Sequence, residues 1–376
     1  MLIKNGQLHD AIHEEGYAAD LRAEGGKIVE IAPDLTPKPG EEVIDATGLL
    51  VYPGFVEAHC HTGLEAFAGG DIGMDPNAKT TPVTPEVRAI DSFYPQDLSI
   101  RLSREAGITT LCTGPGSSDV VGGSFMAVKT AGTCVDEMIL KYPVAMKCAF
   151  GEHPKGVHGK RGCGARMGTA ARLRETLFAA REYMDAKDAG EKQKYDMRME
   201  ALIPVLKREI PLKVHVQRAD DVCTVLRIVR EFGVRLTLEH CSGARAAIPQ
   251  IKKAGVPVAC GPYFTGSGTL TENRDKSPAL AVEMDAAGIP VSIMTDHPVV
   301  LQQYLVLSAE ACIRAGMPPF HALQAITINA ARHAGVDDRV GSLEVGKDAD
   351  IVLWTGDPFR YTSRVKAVCI DGVKVV

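Results

Sequence analysis

The chain has 376 residues, of which 45% are hydrophobic and 24% are charged, and its 42 basic and 47 acidic side chains leave a formal net charge of -5. These values are typical of a globular enzyme and exclude a disordered or fibrous chain. The slight excess of acid argues against a nucleic acid or an anionic membrane as a partner. The ten cysteines include no CxxC pair, which favours free thiols in a reducing compartment.

The first ten residues, MLIKNGQLHD, contain no apolar segment of signal-peptide length. No apolar run in the sequence approaches the roughly 18 residues of a membrane span. We therefore expect a cytoplasmic protein without a membrane partner.

Residues 1–52 form short apolar runs that are separated by turn signals, and this pattern predicts antiparallel strands. From about residue 107 onward, apolar runs alternate with amphipathic stretches, as in strand and helix units around a parallel sheet. Counting the run at 55–61, eight barrel strands are predicted, at 55–61, 108–114, 125–131, 144–152, 212–217, 235–241, 257–263 and 290–296.

Helical periodicity fills most of the intervals between these strands, and the carboxyl-terminal residues return to short strands with a DG turn. The fold class is therefore predicted to be α/β, with a (β/α)8 TIM barrel over residues 55–339. Residues 1–54 and 340–376 are predicted to form one small β-sandwich from both chain termini.

Two histidines lie one residue apart on the first predicted barrel strand. Because a strand alternates its side chains between two faces, His59 and His61 share a face with Glu57, while Cys60 points the other way. Two neutral imidazoles on one face can form half of a metal site. Such a pair also arises by chance on a solvated strand, so the metal interpretation needs support from other strands.

Four further strands end on residues of the same chemistry: Glu152, His215, His240 and Asp296. In a TIM barrel the catalytic groups lie where the strands end, so these side chains are predicted to meet the two histidines. Taken singly, a strand-end histidine or aspartate is commonly a satisfied polar residue or a turn cap. Together, the six indicate a site for two metal ions with nitrogen and oxygen ligands.

With these residues assembled, the sequence resembles the amidohydrolase superfamily of metal-dependent hydrolases. PGFVEAHCH at 53–61 is similar to the family's first-strand motif, with Glu57 in place of the usual aspartate. AGITT at 106–110 resembles its second strand, NAAR at 329–332 its last barrel helix, and GSLEVGKDADIVLW at 341–354 its return to the β-sandwich. GEHPKG, HVQRADD and TDHPVV resemble hydrolases related to imidazolonepropionase and to Xaa-Pro dipeptidases.

The resemblance implies that His59, His61 and Asp296 hold one divalent metal ion and that His215 and His240 hold a second. Zinc is the expected metal, and iron and manganese are compatible with the same ligands. The implied reaction is hydrolysis of an amide C–N bond in a cyclic amide, an N-acyl amino acid or a dipeptide. A hydroxide between the metals attacks the carbonyl, and Asp296 acts as general base and then as general acid.

The resemblance also implies a carboxylate that bridges the two ions, either a carboxylated lysine or a glutamate on the fourth strand. This strand offers Lys147 and Glu152, which have opposite parity and cannot both face the barrel centre. We expect Glu152 to be the bridge, because it lies at the level of the strand ends.

Two other functions remain open. Deaminases of the superfamily use one metal ion and a glutamate three residues after the fifth-strand histidine, where this chain has Arg218. Other members keep the barrel but have lost ligands and act as scaffolds. All six ligand positions are filled here, which argues against a scaffold.

Basic residues near the predicted rim suggest a small-molecule substrate that bears a carboxylate. Arg218 offers a bidentate partner for such a group, although a salt bridge to Asp220 or Asp221 explains it equally well. Lys160 and Arg161 lie in a basic loop after the fourth strand.

Tyr263 is a further candidate at the rim. The segment at 69–97 is rich in proline and glycine and is predicted to be a lid or a partner surface. The sequence leaves the substrate and the formation of a homo-oligomer open.

Overall fold

The computed structural model describes residues 1–67, 69–265 and 271–376, and their strands form two sheets. The amino-terminal segment contributes β1 (Leu2–Leu8), β2 (Tyr17–Glu24), β3 (Lys27–Ala32), β4 (Val43–Asp45) and β5 (Leu50–Pro53). The next eight strands are β6 (Phe55–Cys60), β7 (Ile108–Thr113), β8 (Val121–Lys129), β9 (Ile139–Ala149), β10 (Leu212–Arg218), β11 (Leu236–Gly243), β12 (Val258–Cys260) and β13 (Val291–Ile293). The carboxyl-terminal segment adds β14 (Ile351–Trp354), β15 (Val365–Ile370) and β16 (Val373–Lys374).

The first sheet combines both ends of the chain, as the sequence predicts. Its order is β16-β15-β14-β5-β1-β2-β3, with β4 also paired to β1. The two termini join where Val352 of β14 pairs with Tyr52 of β5 in antiparallel register. Side chains such as Ile3, Leu21 and Ile351 are fully buried in the core of this module. The domain boundaries at residues 54 and 340 remain a prediction.

The second sheet is a nearly closed barrel of eight strands in the order β6 to β13. The residues that follow the first and last strands meet through a hydrogen bond of 2.9 Å from the His61 backbone amide to the His297 carbonyl. One strand departs from a regular (β/α)8 barrel, because β8 runs antiparallel to both β7 and β9. Only residues 114–120 connect β7 to β8, and a crossover between parallel strands needs a dozen or more residues.

The helices lie between and after the barrel strands. They are α1 (Leu98–Glu105), α2 (Val135–Met138), α3 (Glu152–His158), α4 (Arg166–Asp188), α5 (Met197–Glu200), α6 (Ile203–Leu206), α7 (Ala219–Phe232), α8 (Ile248–Ala254), α9 (Pro278–Ala286), α10 (Leu305–Arg314), α11 (Pro319–Ala325) and α12 (Ile328–Ala334). Among the described residues, no helix combines the length and the apolar character that a membrane crossing requires.

The segment predicted to be a lid is partly built into the barrel. The amide of Val120 donates to the Pro82 carbonyl at 2.8 Å, and the amide of Thr84 donates to the Val121 carbonyl at 2.8 Å. A third hydrogen bond, of 3.0 Å, joins the Ser124 amide to the Val87 carbonyl. Residues 82–88 therefore pair with the first half of β8, where β7 has already ended and the strand would otherwise have a free edge.

Candidate metal centre

The carboxyl ends of the barrel strands bring five of the six predicted ligands together. His59, His61 and Asp296 each offer a ligand atom within 4.8 Å of the other two. The Nε2 atoms of His59 and His61 lie 3.5 and 3.4 Å from Asp296 Oδ1. The His215 and His240 rings lie 4.3 Å apart between centroids, and His240 is 5.6 Å from His59. Their metal ligation remains a prediction.

Hydrogen bonds fix the orientation of three of these imidazoles. Nδ1 of His61 donates to the Gly114 carbonyl at 2.7 Å, and Nδ1 of His240 donates to the Gly261 carbonyl at 3.0 Å. Nδ1 of His59 faces the Glu239 carboxylate at 3.0 Å. With the proton held on Nδ1, each Nε2 presents its lone pair to the interior of the site, which is the usual arrangement of metal-binding histidines.

Burial favours the neutral form of His59, His215 and His240. It lowers the pKa of His240 to about 4 and the pKa of both His59 and His215 well below the ordinary value. Within the described part of the chain, neither ring nitrogen of His215 has a hydrogen-bond partner. A buried imidazole with two unsatisfied nitrogens is rare in folded proteins and indicates a missing partner.

The backbone is left-handed at two of the site residues. His240 has a φ of 71° and Asp296 a φ of 54°, a region that residues other than glycine seldom adopt. At His240 this geometry breaks the alternation of the strand, so Glu239 and His240 both point into the barrel. Burial alone would raise the pKa of Asp296, but His240 and His61 hold it well below its usual range, so the carboxylate is ionised.

Lys147, and not Glu152, lies beside the histidines. The Lys147 side chain is fully buried, its Nζ lies 3.3 Å from His59 Nε2, and burial lowers its pKa to about 8. Because β9 ends at Ala149 and Gly151 has a φ of 90°, the chain turns before Glu152, which begins α3. The Glu152 carboxylate accepts hydrogen bonds from the backbone amide (2.8 Å) and the hydroxyl of Thr271. The expectation that Glu152 reaches the cluster is thus corrected.

A buried ionic network lies directly under the histidines. Glu239 binds Lys213 Nζ at 3.0 Å, His333 Nε2 at 2.9 Å and Thr237 Oγ1 at 2.9 Å, in addition to His59. Burial opposes the ionisation of Glu239, but Lys213 and His333 hold its pKa well below the ordinary value. Glu239 was not predicted from the sequence, because strict strand alternation places it on the face opposite to His240.

Glu57 forms a second buried support. One carboxylate oxygen accepts from the His59 amide at 3.1 Å. The other accepts from the Thr295 amide at 3.0 Å, the Thr295 hydroxyl at 2.8 Å and the Gln302 amide group at 2.6 Å. Burial raises the pKa of Glu57 to about 7. Through these hydrogen bonds Glu57 connects the end of β6 to Thr295, the residue before Asp296.

Three more side chains near the centre were missed from the sequence. The His153 ring lies 5.0 Å from the His215 ring, and burial lowers its pKa. The Phe125 ring on β8 lies 5.2 Å from that of His59. Burial also lowers the pKa of Lys276, although the negative charge of Asp296 acts to raise it. His153 could have been found from the sequence, since it directly follows Glu152 at the end of the predicted fourth strand.

The predicted substrate-binding residues do not contact the cluster in the described part of the chain. Arg218 forms two hydrogen bonds with the Asp220 carboxylate, at 3.0 and 2.8 Å. Arg161 donates to the Lys79 carbonyl at 2.9 Å, and Lys160 is exposed. The Tyr263 hydroxyl is buried against Cys312 in the core, and burial raises its pKa well above the ordinary value. Substrate binding by these residues remains a prediction.

Comparisons with known proteins agree with this architecture. The amidohydrolase family model matches residues 206–375. A solved amidohydrolase from Thermotoga maritima MSB8 is 36% identical and superposes with a TM-score of 0.96 over 100% of this chain and 99% of that one.

Two curated proteins are also similar to this chain. Amidohydrolase tasK of Hapsidospora irregularis is 26% identical over 95% of this chain, which spans only 40% of that longer protein. The imidazolonepropionase of Symbiobacterium thermophilum is 27% identical over 89% of this chain and 83% of its own length. This chain therefore belongs to the amidohydrolase superfamily and is a hydrolase that acts on carbon–nitrogen bonds.

Proposed function

We propose that this protein hydrolyses an amide C–N bond at a centre for two divalent metal ions. The four clustered histidines and Asp296 would hold the ions, and Lys147 in carboxylated form would supply a further carboxylate ligand. The observation that carries the proposal is the convergence of inward Nε2 lone pairs, an ionised carboxylate and a buried lysine at one end of the barrel.

The described residues fit such a pair of ions. Both nitrogens of His215 and the Oδ1 atom of Asp296 are buried without a hydrogen-bond donor or acceptor in the described part of the chain. Nitrogen and oxygen ligands of this kind suit zinc, iron and manganese. These unsatisfied atoms therefore support the presence of metal ions as their missing partners.

Lys147 supports the bridge because its burial favours the neutral amine. A neutral amine can attack carbon dioxide, which forms an N–C bond and releases one proton to solvent. The product is a carbamate with two carboxylate oxygens, the group that a bridge between two cations needs. Phe125 lies beside the lysine, with Nζ 5.5 Å from the ring centroid, and shields it from water.

Two bound divalent ions would lower the pKa of a coordinated water towards ~7 and would polarise a carbonyl group. Asp296, which is ionised and contacts both His59 and His61, accepts the proton of the attacking water. The same carboxyl group then delivers that proton to the leaving nitrogen. Its fixed position between the two imidazoles keeps it within reach of both.

We infer a substrate among cyclic amides, N-acyl amino acids and dipeptides, with a carboxylate that Lys276 meets. Lys276 is partly buried, donates to Thr265 Oγ1 at 3.2 Å and lies within the field of Asp296. Lys160 is a second cation on the same rim. Arg218 is less suitable, because Asp220 already occupies both of its donors.

The test is a screen of these three substrate classes with metal-replete protein, read by the mass of the products. We expect addition of water across one C–N bond, loss of turnover after chelation, and recovery with a divalent metal. An Asp296→Asn variant that is folded is the matched control and should be inactive. Release of ammonia from a heterocyclic amine by protein with one metal ion per chain would refute the proposal in favour of a deaminase.

A further inference from the structure

A large cavity opens at the end of the barrel opposite to the candidate metal centre. Its volume is about 880 Å³, and it is lined by residues of β9 and β11, by the residues that lead into β10 and β12, and by parts of α7, α8 and α12. This volume lies in the range of ordinary small-molecule sites, about 300–1,000 Å³. In a TIM barrel this end is usually occupied by packing and supports stability, so an open cavity here needs an explanation.

The charges around the cavity are strongly unbalanced. Seven basic side chains line it, against Glu209 as the only acidic side chain in the lining. Four of them are Arg208, Arg227, Arg230 and Arg235. The other three are Lys141, Lys253 and Arg332.

These cations are not neutralised by salt bridges. Within the described part of the chain, none of the seven lies within 4.0 Å of a carboxylate oxygen. The exposed Arg245, by contrast, forms two hydrogen bonds with Glu283. Lys141, Arg208 and Arg235 each donate to one backbone carbonyl, at 2.7, 3.3 and 3.3 Å. Arg332 donates to the Asn329 side-chain oxygen at 3.2 Å. The remaining hydrogen-bond donors of the cavity are therefore available to a ligand.

Helix dipoles explain only part of this charge. Arg230, Lys253 and Arg332 lie in the last turns of their helices, where a cation offsets a partial charge of about -0.5. Three such ends cancel roughly 1.5 positive charges, whereas the seven cations exceed the one acid by six. The cavity thus keeps a large positive excess.

We propose that this cavity binds a small anion that carries two or more phosphate or carboxylate groups. Guanidinium groups recognise both kinds of group through paired hydrogen bonds, and several arginines around one cavity suit a multiply charged ligand. The site is separate from the candidate metal centre, although the cavity reaches His333, which binds Glu239 below the metal ligands. The proposal does not depend on the substrate of that centre.

The test uses calorimetric titration of the metal-loaded full chain with fructose 1,6-bisphosphate and, separately, with propane-1,2,3-tricarboxylate at near-physiological salt. The cavity variant is Arg227→Glu, Arg230→Glu and Lys253→Glu, three exposed residues of α7 and α8. The matched control is Lys192→Glu, Lys194→Glu and Lys252→Glu, which changes the net charge equally outside the cavity lining.

We expect the wild type and the control to bind at least one probe with similar affinity, and the cavity variant to bind it at least about tenfold more weakly. Binding of one probe alone identifies the ligand group as phosphate or carboxylate. Absence of binding below about 1 mM for both probes, or an equal loss in both variants, would overturn the proposal. If the cavity variant does not fold, the milder Arg227→Gln and Arg230→Gln pair takes its place, and unchanged binding in that pair would also overturn it.

Discussion

Replacement of Glu239 by glutamine tests the buried network that supports the histidines. The substitution keeps the side-chain volume but leaves the charge of Lys213, whose Nζ lies 3.0 Å away, without its partner. Removing one member of a buried ion pair costs about 3–5 kcal/mol. With an unfolding entropy of about 2.1 cal/mol/K per residue over the 376 residues, this corresponds to a fall in Tm of about 4 to 6 °C.

The same substitution should also weaken the metal site. His59 loses the carboxylate that holds its Nδ1 proton at 3.0 Å, and loss of such a partner typically lowers metal affinity by about 10- to 100-fold. Stability is measured by thermal and urea unfolding of chelator-treated protein, so that metal binding does not contribute. Metal affinity is measured separately by competition with a chromophoric chelator.

The double variant Glu239→Gln with Lys213→Met provides the control. It removes both charges, so it should recover at least half of the lost stability while metal affinity stays low. Lys213→Met alone should be destabilising, because it leaves Glu239 without its cation. A loss of less than about 1 kcal/mol in Glu239→Gln, or strictly additive effects in the double variant, would show that the network is not an ionic support.

Three further predictions concern the centre itself. Lys147→Ala should lose one of two bound metal ions per chain, whereas Glu152→Ala should keep both, as counted by elemental analysis. The reverse pattern would restore Glu152 as the bridge. The pKa of Lys147 is lowered to about 8, so the neutral amine becomes more abundant as the pH rises. Metal-free protein should therefore be reactivated by metal and bicarbonate faster at higher pH, with the rate levelling off above about pH 8. The concentration of dissolved carbon dioxide is held constant in this experiment. A rate that falls over this range would contradict the carbamate. Lys276→Met should raise KM for carboxylate-bearing amides by at least about tenfold while sparing neutral amides, since one charge-assisted hydrogen bond contributes about 1.5–3 kcal/mol. Equal effects on both classes would exclude Lys276 as the recognition group.

The positions of the histidines could be predicted because parallel strands deliver their carboxyl ends to one rim. His59, His61 and Asp296 meet there, as strand alternation and the family motif both indicated. The prediction for the fourth strand failed because it extended regular alternation beyond Ala149, where the strand already ends. Gly151, which has a φ of 90°, lies at that turn, but a single glycine at the end of an apolar run was not enough to predict it.

Glu239 and β8 were missed for related reasons. Alternation assigns Glu239 to the outside, and only the left-handed φ of 71° at His240 turns both residues inward. The reversed direction of β8 depends on the length of its connection to β7, which hydropathy does not measure. Predictions from the pattern thus succeeded where the backbone is regular and failed where it departs from the ideal strand.

The pairing of residues 82–88 with β8 bears on any attempt to change the specificity of this enzyme by loop exchange. The whole stretch from 69 to 97 resembles an exchangeable loop in sequence, yet its middle part satisfies the backbone groups of Val121 and Ser124. Cutting it out would leave a bare strand edge, and such edges promote aggregation between molecules. Grafts are better confined to residues 69–75, with the paired stretch kept as a fixed boundary.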